Sequence, residues 1–269
     1  MTVTAVTTSH ETPVFLSVGK ERIFGIFTSP AADPVGTAVV FLSGGGQLPS
    51  PHRNRFAVRL SRRLAAEGYH AMRFDYQGVG ESTGLPRVDR LDQPSVEDLE
   101  GVVQWIQKQD IPRLVLVGSC FGARTALAWA VRKPTLVRGL VLLSVPLRDI
   151  TPGAIAEVRS GEYAHQLLQM QALRRLGSLS PHFMEPLDAL VKRRVPMLFI
   201  YGSTENYYHD FNWARSGRLG MILKRAGSLI EVKELPDRVH SLPRVAIQDA
   251  VIESISSWLA QRPVVGASS

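Results

Sequence analysis

Six short, mostly apolar runs constrain this chain more than any other feature: Thr37–Ser43, Ala71–Phe74, Leu114–Val117, Leu140–Leu143, Met197–Tyr201 and Leu229–Val232. They show little alternation of polar and apolar residues, so each reads as a strand covered on both faces, as in a parallel sheet. Helical patterns fall between them at Arg55–Ala66, Val96–Gln107 and Ala123–Arg132, and another follows at Val245–Leu259. Alternating strands and helices give βαβ units and a mostly parallel, twisted α/β sheet with helices on both faces. Before them, Pro13–Val18 and Arg22–Thr28 read as a hairpin. The rhythm breaks between 150 and 190, where helical patterns (Ala154–Ser160, Tyr163–Leu176) come without a strand. That stretch is expected to be an inserted helical cap, on a core formed by 1–149 and 191–262, with 263–269 as a flexible tail.

Composition narrows the function classes. Hydrophobic residues make up 45% and charged residues 20% of 269, which suits one large α/β domain with a full core. The single cysteine rules out an intrachain disulfide and fits a reducing compartment. No run is long and apolar enough for a membrane span, and the first residues lack a signal-peptide pattern, so a cytoplasmic protein is expected. The net charge of +7 gathers at Arg53/Arg55/Arg59/Arg62/Arg63, Arg174/Arg175 and Lys192/Arg193/Arg194. These clusters sit in helical patterns or at a helix end without a nucleic-acid motif. They read as solvated helix faces or as a docking surface for an acidic partner such as an acyl carrier protein. Neither nucleic acid nor membrane is an expected partner, and the sequence does not speak to oligomeric state.

The chemistry concentrates in LVLVGSCFGARTALA, Leu114–Ala128. A buried strand runs into Gly118-Ser119-Cys120-Phe121-Gly122 and then into a helix. This is the G-x-S-x-G nucleophile elbow with cysteine at its centre. The strained strand-to-helix turn demands residues nearly free of side chain two before and two after the nucleophile, and Gly118 and Gly122 meet that demand. The turn aims the sulfur at a helix N-terminus, whose dipole and free N–H groups stabilise a thiolate. The N–H of Phe121 becomes one oxyanion donor. Ser119, without flanking glycines, is a poor rival nucleophile.

An elbow predicts its partners in chain order, nucleophile, acid, histidine. Glu205 stands three residues beyond Gly202 at the end of a strand and is the first choice of acid; Asp210 and Asp149 are the alternates. His240 lies in the loop LPDRVHSLP after the last strand. That placement lets Nε2 face the thiol while Nδ1–H is held by the carboxylate. The second oxyanion donor is expected from Ser43-Gly44-Gly45-Gly46-Gln47, with Gly45 or Gly46 as donor. No ligand spacing for a metal is present and the triad needs no cofactor.

On these motifs the chain resembles the α/β-hydrolase superfamily over essentially its whole length. The stretch AEGYHAMRFDYQGVGEST is similar to a strand-and-turn segment of its serine hydrolases, and SGGGQ stands where many members have a His-Gly oxyanion loop. The stretch GGGQLPSPHRNRFAVRLSRRLAAEGY also resembles exosortase-associated hydrolases. The resemblance implies the α/β-hydrolase fold and a triad. Cys120 departs from the serine pattern, although dienelactone hydrolases of this superfamily use Cys, His and Asp. Its acyl-enzyme would be a thioester, able to pass its acyl group to water, an alcohol or an amine. Two reactions are therefore expected of such a site, hydrolysis of a small to medium ester or thioester, and acyl transfer or cyclisation in natural-product biosynthesis. A non-catalytic binding protein on the same fold is the third reading.

Overall fold

The structure is a computed structural model that describes residues 9–45, 48–86, 90–149 and 178–262. Eight strands form one sheet: β1 (His10–Val18), β2 (Glu21–Ser29), β3 (Thr37–Leu42), β4 (His70–Phe74), β5 (Arg113–Ser119), β6 (Val137–Leu143), β7 (Met197–Gly202) and β8 (Ile230–Leu235). Their order is β1-β2-β4-β3-β5-β6-β7-β8. The β1/β2 and β2/β4 pairs are antiparallel, and every pair from β4 to β8 is parallel. Every run read as a strand contributes to it.

Seven helices are described: α1 (Phe56–Ala66), α2 (Val96–Gln107), α3 (Phe121–Ala130), α4 (Pro181–Lys192), α5 (Asn206–Ala214), α6 (Arg218–Ala226) and α7 (Val245–Ala260). The parallel strands lack alternation because both faces are covered. On β3, Val39 and Phe41 pack with Phe56 and Leu60 of α1 and Val251 and Ile255 of α7. Ala38, Val40 and Leu42 of the same strand pack with Leu99 of α2, Leu127 of α3 and Leu187 of α4. Burying a Leu, Ile, Val or Phe side chain is worth about 1.5–3 kcal/mol, so a one-residue slip of a central strand is strongly disfavoured.

Of the span read as an inserted cap, 150–177 lies outside the described residues, as do the tail 263–269 and Arg174/Arg175. The described part, α4, starts at Pro181 and buries Phe183, Met184, Leu187, Leu190 and Val191 in the core. The basic cluster on α1 is laced with acids. Arg59 pairs with Asp249, Arg62 with Glu11, and Arg63 with Glu67. No helix among the described residues is long and apolar enough to cross a membrane.

Candidate active site

The parallel strands all deliver their C-terminal ends to one edge of the sheet, where open α/β sheets place their ligands. Cys120 follows β5 directly and caps α3 with φ 47° and ψ −109°. Such a backbone in a residue other than glycine costs about 1–3 kcal/mol and persists only where its surroundings enforce it. Here they do. A Cβ on Gly118 would lie 2.4 Å from the carbonyl oxygen of Gly122, and one on Gly122 would lie 2.4 Å from those of Leu42 and Ser43. The Cys120 amide donates to Leu143 O at the end of β6 (2.9 Å), and its carbonyl accepts from Ala123 and Arg124 (3.1 and 3.3 Å). The N–H groups of Phe121 and Gly122, in the first turn of α3, have no acceptor within the helix.

The loop after β3 comes alongside. A Cβ on Gly44 would stand 3.7 Å from that of Cys120, and the next residue, Gly45, has φ 81°. Gly46, the other expected oxyanion donor, lies outside the described residues. The loop is held from below by Asp75, whose buried carboxylate accepts from the amides of Ser50 and Glu81. Burial pushes the Asp75 pKa up against those hydrogen bonds.

Glu205, 4% exposed, caps α5 just beyond β7. Its Oε1 accepts from the Ser144 hydroxyl (2.6 Å) and the Gly202 amide (3.0 Å). Its Oε2 accepts from the backbone amide of His240 (2.7 Å). The carboxylate and His240 are thus joined, but not through the ring. The expected contact of Nδ1 with the carboxylate is replaced by one with the Ser241 hydroxyl, at 3.1 Å. The loop carrying His240 presents its amide first, because Gly202 lets it close on β7. A Cβ there would lie 2.3 Å from Asp237 O and 2.6 Å from Val239 N.

The alternate acids have other partners. Asp210 pairs with Arg148 at 2.9 Å, and Asp149 with the buried Arg124 at 2.7 Å. Arg124 also donates to Pro146 O and Ser180 Oγ, tying α3 to the loop after β6 and to the start of α4.

Burial holds the His240 pKa down to about 4, assisted by the nearby cations of Arg238 and Arg53. Its ring packs against Tyr207, with centroids 4.9 Å apart and planes at 44°. The Tyr207 hydroxyl lies 3.9 Å from Cys120 Sγ. Sequence reasoning passed over Tyr207, which stands two residues after Glu205. It also passed over Ser144, Asp75 and Arg124. For Tyr207 a signal existed: Tyr207, Phe211 and Ala214 are the buried residues of α5 and recur at i, i+4 and i+7.

The sequence pattern of a family described as serine aminopeptidase, S33, matches residues 33–184, more than half of the chain. The chain belongs to this S33 family of α/β-hydrolases. The S33 match takes in the elbow and stops short of Glu205, Tyr207 and His240. Solved structures agree in fold at low identity. A proline iminopeptidase of Mycobacterium smegmatis superposes with a TM-score of 0.63 at 16% identity, covering 94% of this chain and 99% of that one. A dienelactone hydrolase of Anabaena variabilis gives 0.63 at 15%, covering 94% and 98%. An esterase of Pyrococcus furiosus gives 0.65 at 15%, covering 94% and 91%. No curated protein sequence matches. Within a family described as serine-type, this S33 member carries a thiol at its elbow. Among the described residues no group of His, Cys, Asp and Glu could hold a metal ion.

Proposed function

We propose that this S33-family protein hydrolyses an ester or thioester of a small to medium acyl group, with Cys120 as nucleophile, His240 as base and Glu205 as the acid of the triad. The observation that carries the reading is the elbow itself. The residue held in the strained turn, between two positions with no room for a Cβ, is a thiol at the N-terminus of α3. In the proposed cycle His240 takes the proton of the Cys120 thiol and the sulfur bonds to the substrate carbonyl carbon. The oxyanion is met by the N–H of Phe121 and one from Gly45 or Gly46; one such donor is worth about 100–1000-fold in rate. His240 then protonates the leaving alcohol or thiol as its bond to carbon breaks, leaving an acyl thioester on Cys120. Water, deprotonated by His240, attacks that thioester and returns the thiol. Glu205 holds the His240 backbone in place through the cycle. A lone thiol used in this way suits a reducing compartment.

The thiol also favours a second reading, acyl transfer. A thioester intermediate lies close in energy to an incoming thioester, and an alcohol or amine acceptor can compete with water for it. An acyl carrier protein, being acidic, is then a fitting donor for a chain of net charge +7. One experiment separates these readings. The protein is mixed with aryl esters and short acyl thioesters, with and without amine or alcohol acceptors, and followed by intact-mass spectrometry. An acyl adduct on Cys120 that decays to free acid supports hydrolysis, and a new ester or amide supports transfer. Full turnover by Cys120→Ala overturns the mechanism, and neither adduct nor turnover in the wild type overturns it in favour of a binding role for the fold.

A further inference from the structure

We propose that Tyr207 is a catalytic residue of this site, its hydroxyl donating a hydrogen bond to the Cys120 sulfur while its ring seats the His240 imidazole. The proposal rests on the reading of Cys120 as nucleophile. Its own ground is geometric. Tyr207 sits in the first turn of α5, 9% exposed, with Oη 3.9 Å from Sγ and its ring centroid 4.9 Å from that of His240. Its place is set from below, because Glu205 caps the helix and its carbonyl accepts from the amides of Tyr208 and His209 (3.0 and 3.3 Å). One phenol therefore touches both the proposed nucleophile and the proposed base, and it is fixed by the residue proposed as their acid.

The chemistry gives the phenol a task. A cysteine–histidine ion pair needs a charged imidazole, and burial with two neighbouring arginines works against that charge. The sulfur then draws on other stabilisation, to which the N–H groups of α3, the Arg124 cation and the Tyr207 hydroxyl contribute. Burial, and next the neighbouring Cys120, push the Tyr207 pKa upward, so the phenol stays a donor across the working range. In acylation the thiol proton passes from Sγ to His240 and the phenol keeps its own. In deacylation the carbon–sulfur bond breaks with its electron pair going to sulfur, and the Tyr207 hydroxyl hydrogen-bonds the departing thiolate. Tyr207 is thus expected to matter most when sulfur is the leaving group. Tyr208, the next residue, is a built-in control, since its hydroxyl is bound to Glu234.

The test reads the thiol directly. The rate of Cys120 alkylation by iodoacetamide is measured against pH for the wild type, Tyr207→Phe and Tyr208→Phe, with melting temperatures in parallel. A charge-assisted hydrogen bond lost from a thiolate lowers its population about tenfold or more, so in Tyr207→Phe the alkylation midpoint moves up by about one unit or more. Tyr208→Phe stays at the wild-type midpoint. With an acyl substrate, Tyr207→Phe accumulates acyl-enzyme. An unmoved midpoint in Tyr207→Phe of unchanged melting temperature overturns the proposal. Should that variant not fold, fluorotyrosine at position 207, a stronger donor, lowers the midpoint, and no change there overturns it equally. Acyl uptake with an unmoved midpoint removes the role of Tyr207 alone. A moved midpoint with no acyl uptake in the wild type instead removes the proposed reaction.

Discussion

Glu205 collects three donors inside the protein, from Ser144, Gly202 and His240, and each is aimed at a particular oxygen. Glutamine would keep one acceptor and turn an NH2 group against donors. An unsatisfied buried polar group costs about 1–3 kcal/mol, so Glu205→Gln is expected to lower stability by at least that much, measured by urea unfolding. It should also cut turnover severely, because the His240 loop loses its anchor. Asp210→Asn breaks only the pair with Arg148 and is expected to leave turnover within a few-fold; the reverse outcome would reassign the acid. His240 itself predicts a pH profile. An imidazole base works only when neutral, and with a pKa near 4 the acid limb of kcat/KM falls near pH 4 rather than near 6.5. Arg238→Ala removes a repelling cation, so that limb moves to higher pH.

The elbow ties strand, turn and helix into one rigid unit, and its weak points are its glycines. A methyl on Gly122 would press on the carbonyl oxygens of β3 and the loop after it, and one on Gly118 on the backbone of α3. Overpacking typically costs about 1–3 kcal/mol, and backbone cannot yield as a side chain can. Gly122→Ala and Gly118→Ala are expected near or above the top of that range by urea unfolding, with Cys120 displaced and turnover lost. This unit was legible in the sequence because all its determinants are local, a strand, two glycines and a helix within LVLVGSCFGARTALA. The strands were legible for a similar reason, since burial on both faces writes an apolar run. Helices α5 and α6 were not read as such. NYYHDFNWA in α5 is poor in strong helix formers, and its register is set by the cap at Glu205 and by tertiary packing. Helix α4 carries a clear apolar stripe, and its place against the core follows from contacts with α3 that are remote in sequence. The meeting of Glu205 with the His240 amide was equally out of reach. It depends on the close approach of the loop around 237–239 to Gly202.

Across the whole molecule, the buried His52 and the half-buried His240 couple folding to pH. His52 lies among Phe41 and Phe56 with no hydrogen-bond partner on either ring nitrogen. Burial, with Arg53 close by, holds its pKa down to about 4, close to that of His240. The fold thus binds these protons less tightly than the unfolded chain, so stability falls as pH drops from about 6.5 towards 4. At about 1.4 kcal/mol per pKa unit, each histidine accounts for roughly 3 kcal/mol of that loss. Urea midpoints at pH 7 and pH 4.5 should show it, and His52→Phe should give a shallower dependence than the wild type. The Glu205 link has a consequence of another kind. Because the carboxylate grips the His240 amide and not its ring, it acts as a bearing. It fixes the pivot of the imidazole and leaves the angle of the ring to Ser241 and Tyr207. Substitutions at those two neighbours would therefore retune the direction in which the proposed base points without dislodging its backbone.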